Sequence, residues 1–370
     1  MKIAYIISGL GMGGAENQVC NMADIMHDYG HAVEIICLSG DVVVSPASKD
    51  IKIHNLGIKK NIFGFIKALI KTKIIFFKMK PDVVHSHMFH ANIFSRIIRF
   101  FPPFNNTVLI STVHNSYEGG KMRMLCYRLT DFLTDITTNV SEEAVNSYLA
   151  KKAVKHGKII PFKNAINTDR YTFSEVDRNN LRSSLNIDNE TKVILSIGRL
   201  TKQKDYPNLF HAIGGINNDE IVVVIIGDGD LFVDLQALAK NLNIDHKIRW
   251  VGIQHNVQKW LSIADVFVLS SEWEGFGLVV AEAMSCQRVV VATDSGGVAE
   301  VLGDCGYLVP VKNHYELGSA IENSLALSTE EAHELGARAR NRVRKLFSLE
   351  KRMLEWLELY KYLKLKKWKP

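Results

Sequence analysis

Short apolar runs alternate with longer amphipathic stretches along the whole chain. Several runs are apolar at nearly every position, which is typical of strands covered on both faces of a parallel sheet. The alternation predicts consecutive strand–helix–strand units. The predicted strands are Lys2–Ser8, Ala32–Leu38, Asp82–His85, Thr107–Val113, Asp135–Val140 and Lys158–Phe162 in the first half, and Lys192–Ile197, Ile221–Ile226, Ile248–Val251, Asp265–Leu269, Arg288–Ala292 and Tyr307–Val309 in the second.

A polar stretch, Asn164–Thr172, separates the two series of strands. We therefore predict an α/β protein with two doubly wound, Rossmann-like domains that face each other across a cleft. Residues 1–163 form the first domain, residues 164–345 the second, and residues 346–370 a basic helix. The length of 370 residues fits two domains. Ligands in such folds bind at the carboxyl ends of the strands.

Composition narrows the class of protein. Hydrophobic residues make up 47% and charged residues 23%, as in an ordered globular protein. The chain begins as a strand and a loop rather than a secretory signal, and it has no apolar run long enough to cross a membrane. The cysteines are scattered and form no Cys-x-x-Cys pair, which is typical of a cytoplasmic protein. They are Cys20, Cys37, Cys126, Cys286 and Cys305.

Charge is unevenly distributed around the net value of +6. Residues 1–170 carry a net +8, residues 171–337 a net −11 and residues 338–370 a net +9. Helical spacing puts four lysines of the first segment in one stripe and bulky apolar side chains on other faces. The lysines are Lys60, Lys67, Lys71 and Lys78; the apolar residues are Phe63, Ile66, Ile70, Ile74 and Phe77.

Two interpretations of this basic helix remain open. A basic amphipathic helix can bind an anionic membrane surface, and an ordinary surface helix also carries solvated lysines. The basic, aromatic end of the chain, Tyr360–Pro370, favours a surface role. No nucleic-acid recognition motif accompanies the basic residues.

A glycine-rich loop follows the first strand. Gly9, Gly11 and Gly14 match the G-x-G-x-x-G pattern of dinucleotide-binding folds. Such a site also needs an acidic residue at the end of the second strand, but that strand ends at Leu38. An NAD(P) site and a turn that needs glycine only for its conformation therefore both remain open.

Histidines cluster near two predicted strand ends. His85, His87 and His90 lie close together, but a transition-metal site is a minority interpretation because only Asp82 accompanies them. His114 follows another strand, where an imidazole can donate to a phosphate or a sugar hydroxyl, or serve the structure alone.

Asp228 and Asp230 resemble an Asp-x-Asp metal motif. They follow a buried strand and precede a helix, so we interpret them as a turn and a helix N-cap. We predict no metal site.

Two motifs of the second half carry the sharpest chemistry. Arg199 and Lys204 follow its first strand, and a guanidinium and an ammonium group suit a diphosphate. Glu274 precedes a helix predicted to begin near Leu278, and Glu282 lies in the second turn of that helix. Each carboxylate can accept hydrogen bonds from two neighbouring hydroxyls, and the free N–H groups of the helix suit a phosphate. Sugar, diphosphate and ribose fit this order, although Glu282 as a buried ion-pair partner remains an alternative.

These motifs resemble the retaining GT-B glycosyltransferases of family 4, in particular enzymes that assemble bacterial O-antigen, capsule and other surface polysaccharides. The matching pieces run through nearly the whole chain in the order of the family. They are Gly13-Gly14, His114, Gly198-Arg199-Leu200 with Lys204, Gly227-Asp228-Gly229, Val251-Gly252 with Asn256-Val257, Glu274 with Glu282, and Asp294–Gly297.

The resemblance implies roles for these residues. Glu282 would hold the ribose, Arg199 and Lys204 the departing diphosphate, and Glu274 and His114 the donor sugar. The other donor-site residues would be Gly13, Gly14, Gly198, Gly227, Asn256, Val257, Gly275, Phe276, Gly277 and Leu278. No metal or other cofactor would take part, and the leaving phosphate would act as the base in same-face attack.

The resemblance also implies the substrates. A hexose or N-acetylhexosamine would pass from a nucleotide-diphosphate sugar, with a UDP-sugar favoured, to a lipid-linked saccharide at the inner face of the cell membrane. The last helix would return to the first domain, giving a lobe of net charge +17 against one of −11. An NAD(P)-dependent oxidoreductase and a sugar-nucleotide epimerase of the same architecture remain as alternatives.

Overall fold

The computed structural model describes residues 1–58, 61–101, 107–116, 118–218 and 220–368. The chain forms two compact units. Residues Met1–Ala165 and Leu349–Pro370 make up the first unit, and Ile166–Ser348 the second. The sequence placed the two divisions at 163/164 and 345/346.

The first unit is built on a parallel sheet. Its strands are β1 (Lys2–Ile7), β2 (Ala32–Cys37), β3 (Lys52–Asn55), β4 (Val83–His87), β5 (Val108–Val113), β6 (Ile136–Asn139) and β7 (Ile159–Pro161). They lie in the order β3-β2-β1-β4-β5-β6-β7, so the direction of winding reverses between β1 and β4. The reversal places the loops after β1 and β4 side by side at the carboxyl edge.

Helices cover both faces of this sheet. They are α1 (Gly14–Asp28), α2 (Ile62–Met79), α3 (Phe89–Ile98), α4 (Lys121–Thr130), α5 (Glu142–Ala150) and, from the end of the chain, α14 (Leu349–Trp368). Side-chain oxygens of Asn61 and Ser141 cap α2 and α5. One core contains β1 side chains, α1 and α14, and another lies between the sheet, α2 and α3.

The end of the chain is held firmly in the first unit. In α14, the Trp356 ring stacks on Phe162 with ring centroids 3.7 Å apart. Lys364 pairs with Asp82 at 2.7 Å, and Lys367 with Asp135 at 2.8 Å. Part of the basic character of the tail therefore serves to attach α14 to the sheet.

The second unit repeats the architecture. Its strands are β8 (Lys192–Ile197), β9 (Ile221–Ile226), β10 (Ile248–Gly252), β11 (Val266–Leu269), β12 (Val289–Thr293) and β13 (Tyr307–Val309). Its helices are α6 (Glu175–Ser184), α7 (Tyr206–Gly215), α8 (Phe232–Asn241), α9 (Val257–Leu261), α10 (Leu278–Ser285), α11 (Val298–Leu302), α12 (His314–Leu325) and α13 (Thr329–Phe347). The parallel strands lie in the order β10-β9-β8-β11-β12-β13.

The two predicted parallel sheets are confirmed, with differences in detail. The polar edge strand β3 escaped prediction because its four residues carry no apolar run and are largely exposed. Strand β4 extends to His87, two residues beyond the predicted end.

The predicted charges of +17 and −11 are wrong. The five cations from Arg338 to Lys345 belong to α13 in the second unit, where several arginines bond to backbone carbonyls. The first unit carries 27 Lys and Arg against 15 Asp and Glu, a net +12, and the second carries 18 against 24, a net −6.

None of the helices in the described ranges is long and apolar enough to cross a bilayer.

Candidate active site

The winding of the second unit reverses between β8 and β11. The loops after these strands therefore meet at the carboxyl edge of the sheet, which is where ligands bind in doubly wound folds. The first loop carries Arg199 and Lys204, and the second carries Glu274. The predicted motifs meet here because of strand order, although 70 residues separate Lys204 from Glu274 in sequence.

Lys204 and Glu274 form an ion pair at this edge. The Lys204 Nζ lies 2.5 Å from Glu274 Oε1, and the Ser271 hydroxyl donates to the same oxygen at 2.8 Å. The Glu274 residue is 8% exposed and Ser271 is fully buried. An ammonium group has three donors, so Lys204 can hold Glu274 and still donate to a ligand oxygen.

Backbone contacts fix the two loops against each other. The Glu272 N–H donates to the Gln203 carbonyl at 2.8 Å, and the Gln203 amide donates to the Trp273 carbonyl at 2.9 Å. The Ser270 hydroxyl donates to the Lys204 carbonyl at 2.9 Å. The loop carrying the cation and the loop carrying the carboxylate thus form one rigid assembly.

Two glycines of neighbouring loops pack closely against these two loops. A Cβ on Gly227 would lie 2.0 Å from the Gly198 carbonyl oxygen, and one on Gly296 would lie 1.9 Å from the Glu274 carbonyl oxygen. Both have positive φ, 140° and 60° respectively. Gly227 therefore lets the loop after β9 lie directly against Gly198, the residue before Arg199.

The helix α10 begins at Leu278, as predicted. Its N-cap is Gly277, whose φ of 82° is left-handed, and no side chain caps the first turn. The Phe276 ring is buried edge-on against Phe347, with centroids 5.3 Å apart. The Gly275 carbonyl accepts from the Gly297 N–H. The Val280 N–H donates to the Gly277 carbonyl, but no bond within the described ranges engages the N–H groups of Leu278 and Val279, which are available to an anion.

Glu282 lies in the second turn of α10. Burial raises the pKa of its carboxyl to about 7, while a hydrogen bond from Tyr171 and the positive charges of Arg170 and Lys204 act in the opposite direction. Lys204 therefore acts on both acids of the Glu-x7-Glu motif. The sequence left open that Glu282 is a buried ion-pair partner. In the structure it is Glu274 that forms such a pair, with Lys204.

The remaining predicted residues of the second unit form fewer contacts within the described part of the chain. Arg199 is exposed, and in the described part of the chain its guanidinium forms no ion pair. Asn256 is exposed at the start of the five-residue helix α9, where it caps no N–H with its side chain, and Val257 begins that helix.

The aspartates after β9 are turn residues. The Phe232 N–H donates to the Gly229 carbonyl at 3.1 Å, which closes a turn through Asp230 and confirms the predicted turn, and the Asp228 carboxylate accepts from the Gly229 N–H at 2.7 Å. The predicted N-cap is wrong, because α8 begins at Phe232 and its N-cap is Leu231.

In the first unit, Gly13 and Gly14 open α1. The φ of Gly13 is −165°, which is extended backbone, and the φ angles of Gly9 and Gly11 are not positive either. The interpretation of a turn that needs glycine only for conformation is therefore wrong. A Cβ on Gly11 would meet none of the described atoms within 4 Å, so Gly11 leaves space above the strand end, whereas a Cβ on Gly13 would lie 2.5 Å from a carboxylate oxygen of Glu16.

His114 follows β5 and is half-buried. Burial lowers the pKa of its imidazole to about 4, so the ring is neutral at pH 7. Its Nε2 lies 3.1 Å from His87 Nδ1. Both ring nitrogens of His85 contact hydroxyls, Tyr360 at 2.7 Å and Thr112 at 2.6 Å, so His85 serves a hydrogen-bond network.

Sequence reasoning missed several residues that complete these arrangements. Tyr171 lies in the polar stretch taken as a linker, and Ser271 lies inside the motif without a distinguishing pattern. Gly296 stands out in the sequence only as one residue of the matching piece Asp294–Gly297. The close pairing of His87 with His114 follows from β4 lying beside β5, which the sequence pattern did not establish.

Comparison with known proteins identifies the family. The sequence model described as "Glycosyltransferase Family 4" matches residues 12–170, and the one described as "Glycosyl transferases group 1" matches residues 177–342. The chain belongs to the family 4 glycosyltransferases. Membership decides against the NAD(P)-dependent oxidoreductase and the epimerase.

Individual relatives of this glycosyltransferase differ in coverage. N-acetyl-alpha-D-glucosaminyl L-malate synthase of Bacillus anthracis is 32% identical over 231 residues, which cover 61% of this chain and 59% of that protein. An N-acetylgalactosamine-N,N'-diacetylbacillosaminyl-diphospho-undecaprenol 4-alpha-N-acetylgalactosaminyltransferase of Campylobacter jejuni is 26% identical over 348 residues, covering 88% of this chain and 90% of that one.

The fold agrees with solved GT-B glycosyltransferases. The crystal structure of HepE from Anabaena in complex with UDP superposes with a TM-score of 0.84 at 17% identity, covering 98% of this chain and all of that chain. The predicted α/β, GT-B class is thereby confirmed.

Proposed function

We propose that this family 4 glycosyltransferase transfers a hexose or N-acetylhexosamine, with retention at the anomeric carbon, from a UDP-sugar to a lipid-linked saccharide acceptor. The product would be an intermediate of a bacterial surface polysaccharide. The observation that carries the proposal is the Lys204–Glu274–Ser271 assembly beside the uncapped start of α10.

The assembly suits a nucleotide diphosphate. Breaking the bond between the anomeric carbon and oxygen leaves negative charge on the departing phosphate. Lys204, Arg199 and the first N–H groups of α10 supply fixed positive charge and donors for it. Glu282, as a carboxylate, accepts from the two ribose hydroxyls, and Glu274 accepts from the donor sugar. Asn256 and Val257, the glycines of the two loops, Phe276 and Leu278 line the donor site.

The remaining roles follow the same chemistry. His114 donates to a donor oxygen, and the loop that contains Gly13 and Gly14 brings its backbone close to a phosphate, as glycine allows. The departing phosphate takes the acceptor's hydroxyl proton, so transfer on the same face needs neither a protein nucleophile nor a metal ion.

Names of relatives support the substrate classes. HepE was solved with UDP, and the Campylobacter relative is named for an undecaprenyl-diphosphate-linked acceptor. We therefore favour a UDP-sugar as donor and a polyprenyl-linked saccharide as acceptor for this chain.

We also propose that the first unit associates with the anionic inner surface of the cell membrane. Along α2, a row of large apolar side chains is exposed within an arc of about 80°, and Lys67, Lys71 and Lys78 lie along its border. The row consists of Phe63, Ile66, Ile70, Ile74 and Phe77, and Ile62 at the helix start is exposed too. An ordinary surface helix would bury these residues. Lys60 of the predicted stripe lies outside the described residues.

The first unit exposes further large apolar side chains outside α2. Lys73 lies over the Phe101 ring at 5.0 Å, and the neighbouring Phe100 contacts Phe132 edge-on with centroids 6.2 Å apart. Helix α4 exposes Met122, Leu125 and Leu129. Apolar side chains bordered by lysines are what an interfacial, anionic membrane surface requires.

Transfer can be tested with purified full-length protein. It would be incubated with UDP- and GDP-sugars, in the presence and absence of EDTA, and with polyprenyl-diphosphate saccharides. We expect transfer from a UDP-sugar, unaffected by EDTA, with an α-linked product from an α-linked donor by NMR. Transfer only from an NDP-sugar of another base would overturn the UDP assignment, and a β-linked product would overturn retention.

Variants of the cation loop connect transfer to the site. Arg199→Gln and Lys204→Gln should each reduce kcat by about a hundredfold or more, the usual scale for one electrostatic group at a transition state. Lys202→Gln, an exposed lysine of the same loop, is the matched control and should transfer normally. Full activity in both the Arg199 and Lys204 variants would contradict the proposed site.

A further inference from the structure

His87 is a buried residue with one unusual contact. It is the last residue of β4 and is 1% exposed. Its ring lies between the rings of His85 and His114, with centroid distances of 4.1 and 5.3 Å. The Nδ1 of His87 contacts His114 Nε2 at 3.1 Å, and the buried Nε2 of His87 has no hydrogen-bond partner among the residues that the structure describes.

The unpartnered nitrogen determines where the proton of His87 lies. A neutral imidazole carries one N–H and one lone pair. A buried N–H without an acceptor costs the full desolvation of the donor, and such groups are rare. The stable tautomer therefore carries hydrogen on Nδ1, which has a partner, and leaves the lone pair on Nε2.

This tautomer fixes that of His114. If His87 Nδ1–H donates to His114 Nε2, that Nε2 must be an acceptor, and the single proton of a neutral His114 must lie on Nδ1. Burial lowers the pKa of both imidazoles, so both rings are neutral at pH 7. His114 then offers a ligand an N–H donor in one defined direction.

The surroundings hold His87 in this position. On the same face of β4, His85 contacts Tyr360 and Thr112 through its two ring nitrogens. The next residue, Met88, adopts a φ of 73°, and its N–H donates to the Thr112 carbonyl at 3.2 Å. A non-glycine residue holds such a backbone only where its surroundings determine it.

We infer that His87 is a positioning residue, which donates from Nδ1 to Nε2 of His114 so that His114 presents its Nδ1–H to an oxygen of the donor sugar. This inference rests on the proposed function, because it assigns His114 a donor-sugar contact. The tautomer itself is a property of the free protein and can be measured without any substrate.

Two amide substitutions distinguish positioning from simple packing. In His87→Asn the amide nitrogen lies near the original Nδ1 and keeps the donor, whereas in His87→Gln it lies farther from the backbone, near Nε2. Both variants are polar and neutral, and thermal unfolding would show that both fold. Partners that fix a histidine tautomer are typically worth ten- to a hundredfold in activity. We therefore expect kcat/KM to fall about that much in His87→Gln and to remain within about threefold of wild type in His87→Asn.

The tautomer is read by 15N NMR of the ligand-free protein, with the His114 signals identified by their loss in His114→Ala. We expect His114 protonated on Nδ1 in wild type and His87→Asn, and a mixture of tautomers in His87→Gln. His114 protonated on Nε2 in wild type would overturn the inference, as would an equal loss from His87→Gln in the His114→Ala background. If the wild type transfers no sugar, the proposed function fails while the NMR result still decides the tautomer.

Discussion

Glu282 combines a structural cost with the ribose-binding role that we propose for it. Burial on α10 raises the pKa of its carboxyl to about 7, although a hydrogen bond from Tyr171 lowers this pKa. A carboxyl that titrates near neutral pH is costly to ionise in the free protein. Ribose hydroxyls would supply the hydrogen bonds that the buried carboxylate lacks, and so would favour its ionised form.

Binding of a UDP-sugar should therefore weaken as the pH falls from 8 to 6. Protonation of Glu282 removes the carboxylate acceptor, so the Kd should rise toward tenfold per pH unit below the pKa. Tyr171→Phe removes a hydrogen bond that lowers the pKa of Glu282. In this variant the inflection in the plot of Kd against pH should therefore move to higher pH. Titration calorimetry across this range measures both effects, and a UDP-sugar is preferable because the terminal phosphate of UDP itself titrates near pH 6.

Glu282→Gln is the control for this dependence. It should bind more weakly at pH 8 and lose the inflection, although other groups such as Glu118, also raised to a pKa of about 7 by burial, continue to titrate. An identical inflection in wild type and Glu282→Gln would contradict the assigned role. In the free protein, Glu282 should lower the free energy of unfolding as the pH rises from 4.5 to 7. The reason is that the folded state still holds the proton in this range, whereas the unfolded state has lost it.

At this scale the sequence singled out the charged residues of the candidate site and missed their contact partners. Lys204, Glu274 and Glu282 stood out because acids and cations at strand ends have few structural reasons to be there. Tyr171 and Ser271 are common residue types whose importance depends on a contact formed only in the fold. No sequence pattern announces such a contact.

Among the elements, the two strand series were predictable because their apolar runs are buried on both faces, as in β9. The strand β3 lacks that pattern and lies beside β2 at the edge of the described sheet. The glycine loop after β1 matched a dinucleotide pattern, yet its backbone angles require no glycine. Open space is the remaining physical reason at Gly11, whereas Gly13 packs against the Glu16 side chain, and a single sequence does not distinguish these reasons.

The attachment of α14 gives an element-scale prediction. Tyr360 is fully buried, and its hydroxyl contacts His85 Nδ1 at 2.7 Å and the Tyr5 hydroxyl at 3.3 Å. Tyr360→Phe leaves two buried polar groups with fewer partners, so it should lower the free energy of unfolding by about 1–3 kcal/mol in urea. Tyr362→Phe, which alters an exposed tyrosine of the same helix, should change it by less than about 0.5 kcal/mol. Equal effects would show that the buried network does not stabilise the first unit.

The loop that carries Glu274 gives a second prediction at the scale of an element. An alanine at Gly296 would place its Cβ 1.9 Å from the Glu274 carbonyl oxygen at a left-handed φ, and backbone cannot move aside as a side chain can. Gly296→Ala should cost about 1–3 kcal/mol of stability and weaken UDP-sugar binding. Thermal unfolding and calorimetry measure the two effects.

Gly215→Ala is the matched glycine control. A Cβ there meets no atom within 4 Å, and its φ is not positive, so stability should be unchanged or slightly higher. Normal UDP-sugar binding by a folded Gly296→Ala protein would show that this contact does not position Glu274.

For the whole molecule, charge divides between the units, with a net +12 on the first and −6 on the second. The sequence misjudged the size of the difference because it assigned the arginines of α13 to the tail. The basic unit is also the one that exposes the apolar row of α2. Charge and apolar exposure on the same helix are the basis of the membrane proposal.

Co-sedimentation with vesicles tests that proposal. Wild type should sediment with vesicles containing phosphatidylglycerol at low salt, and less at high salt because screening weakens the attraction. A triple change of Lys67, Lys71 and Lys78 to Glu should abolish sedimentation. The same change at Lys49, Lys152 and Lys155, exposed lysines elsewhere in this unit, should have a smaller effect. If the two triple variants lost sedimentation equally, the net charge of the unit, and not the surface of α2, would explain vesicle binding.

The most direct test of the whole account is the binding of UDP to the ion-paired loops of the second unit. Calorimetry at pH 8 would compare wild type, Lys204→Gln and the control Lys202→Gln, each checked for folding by thermal unfolding. Losing a charged hydrogen bond to the diphosphate should weaken binding about ten- to a hundredfold in Lys204→Gln, with Lys202→Gln within about twofold of wild type. Wild-type affinity for UDP in Lys204→Gln would contradict the central claim.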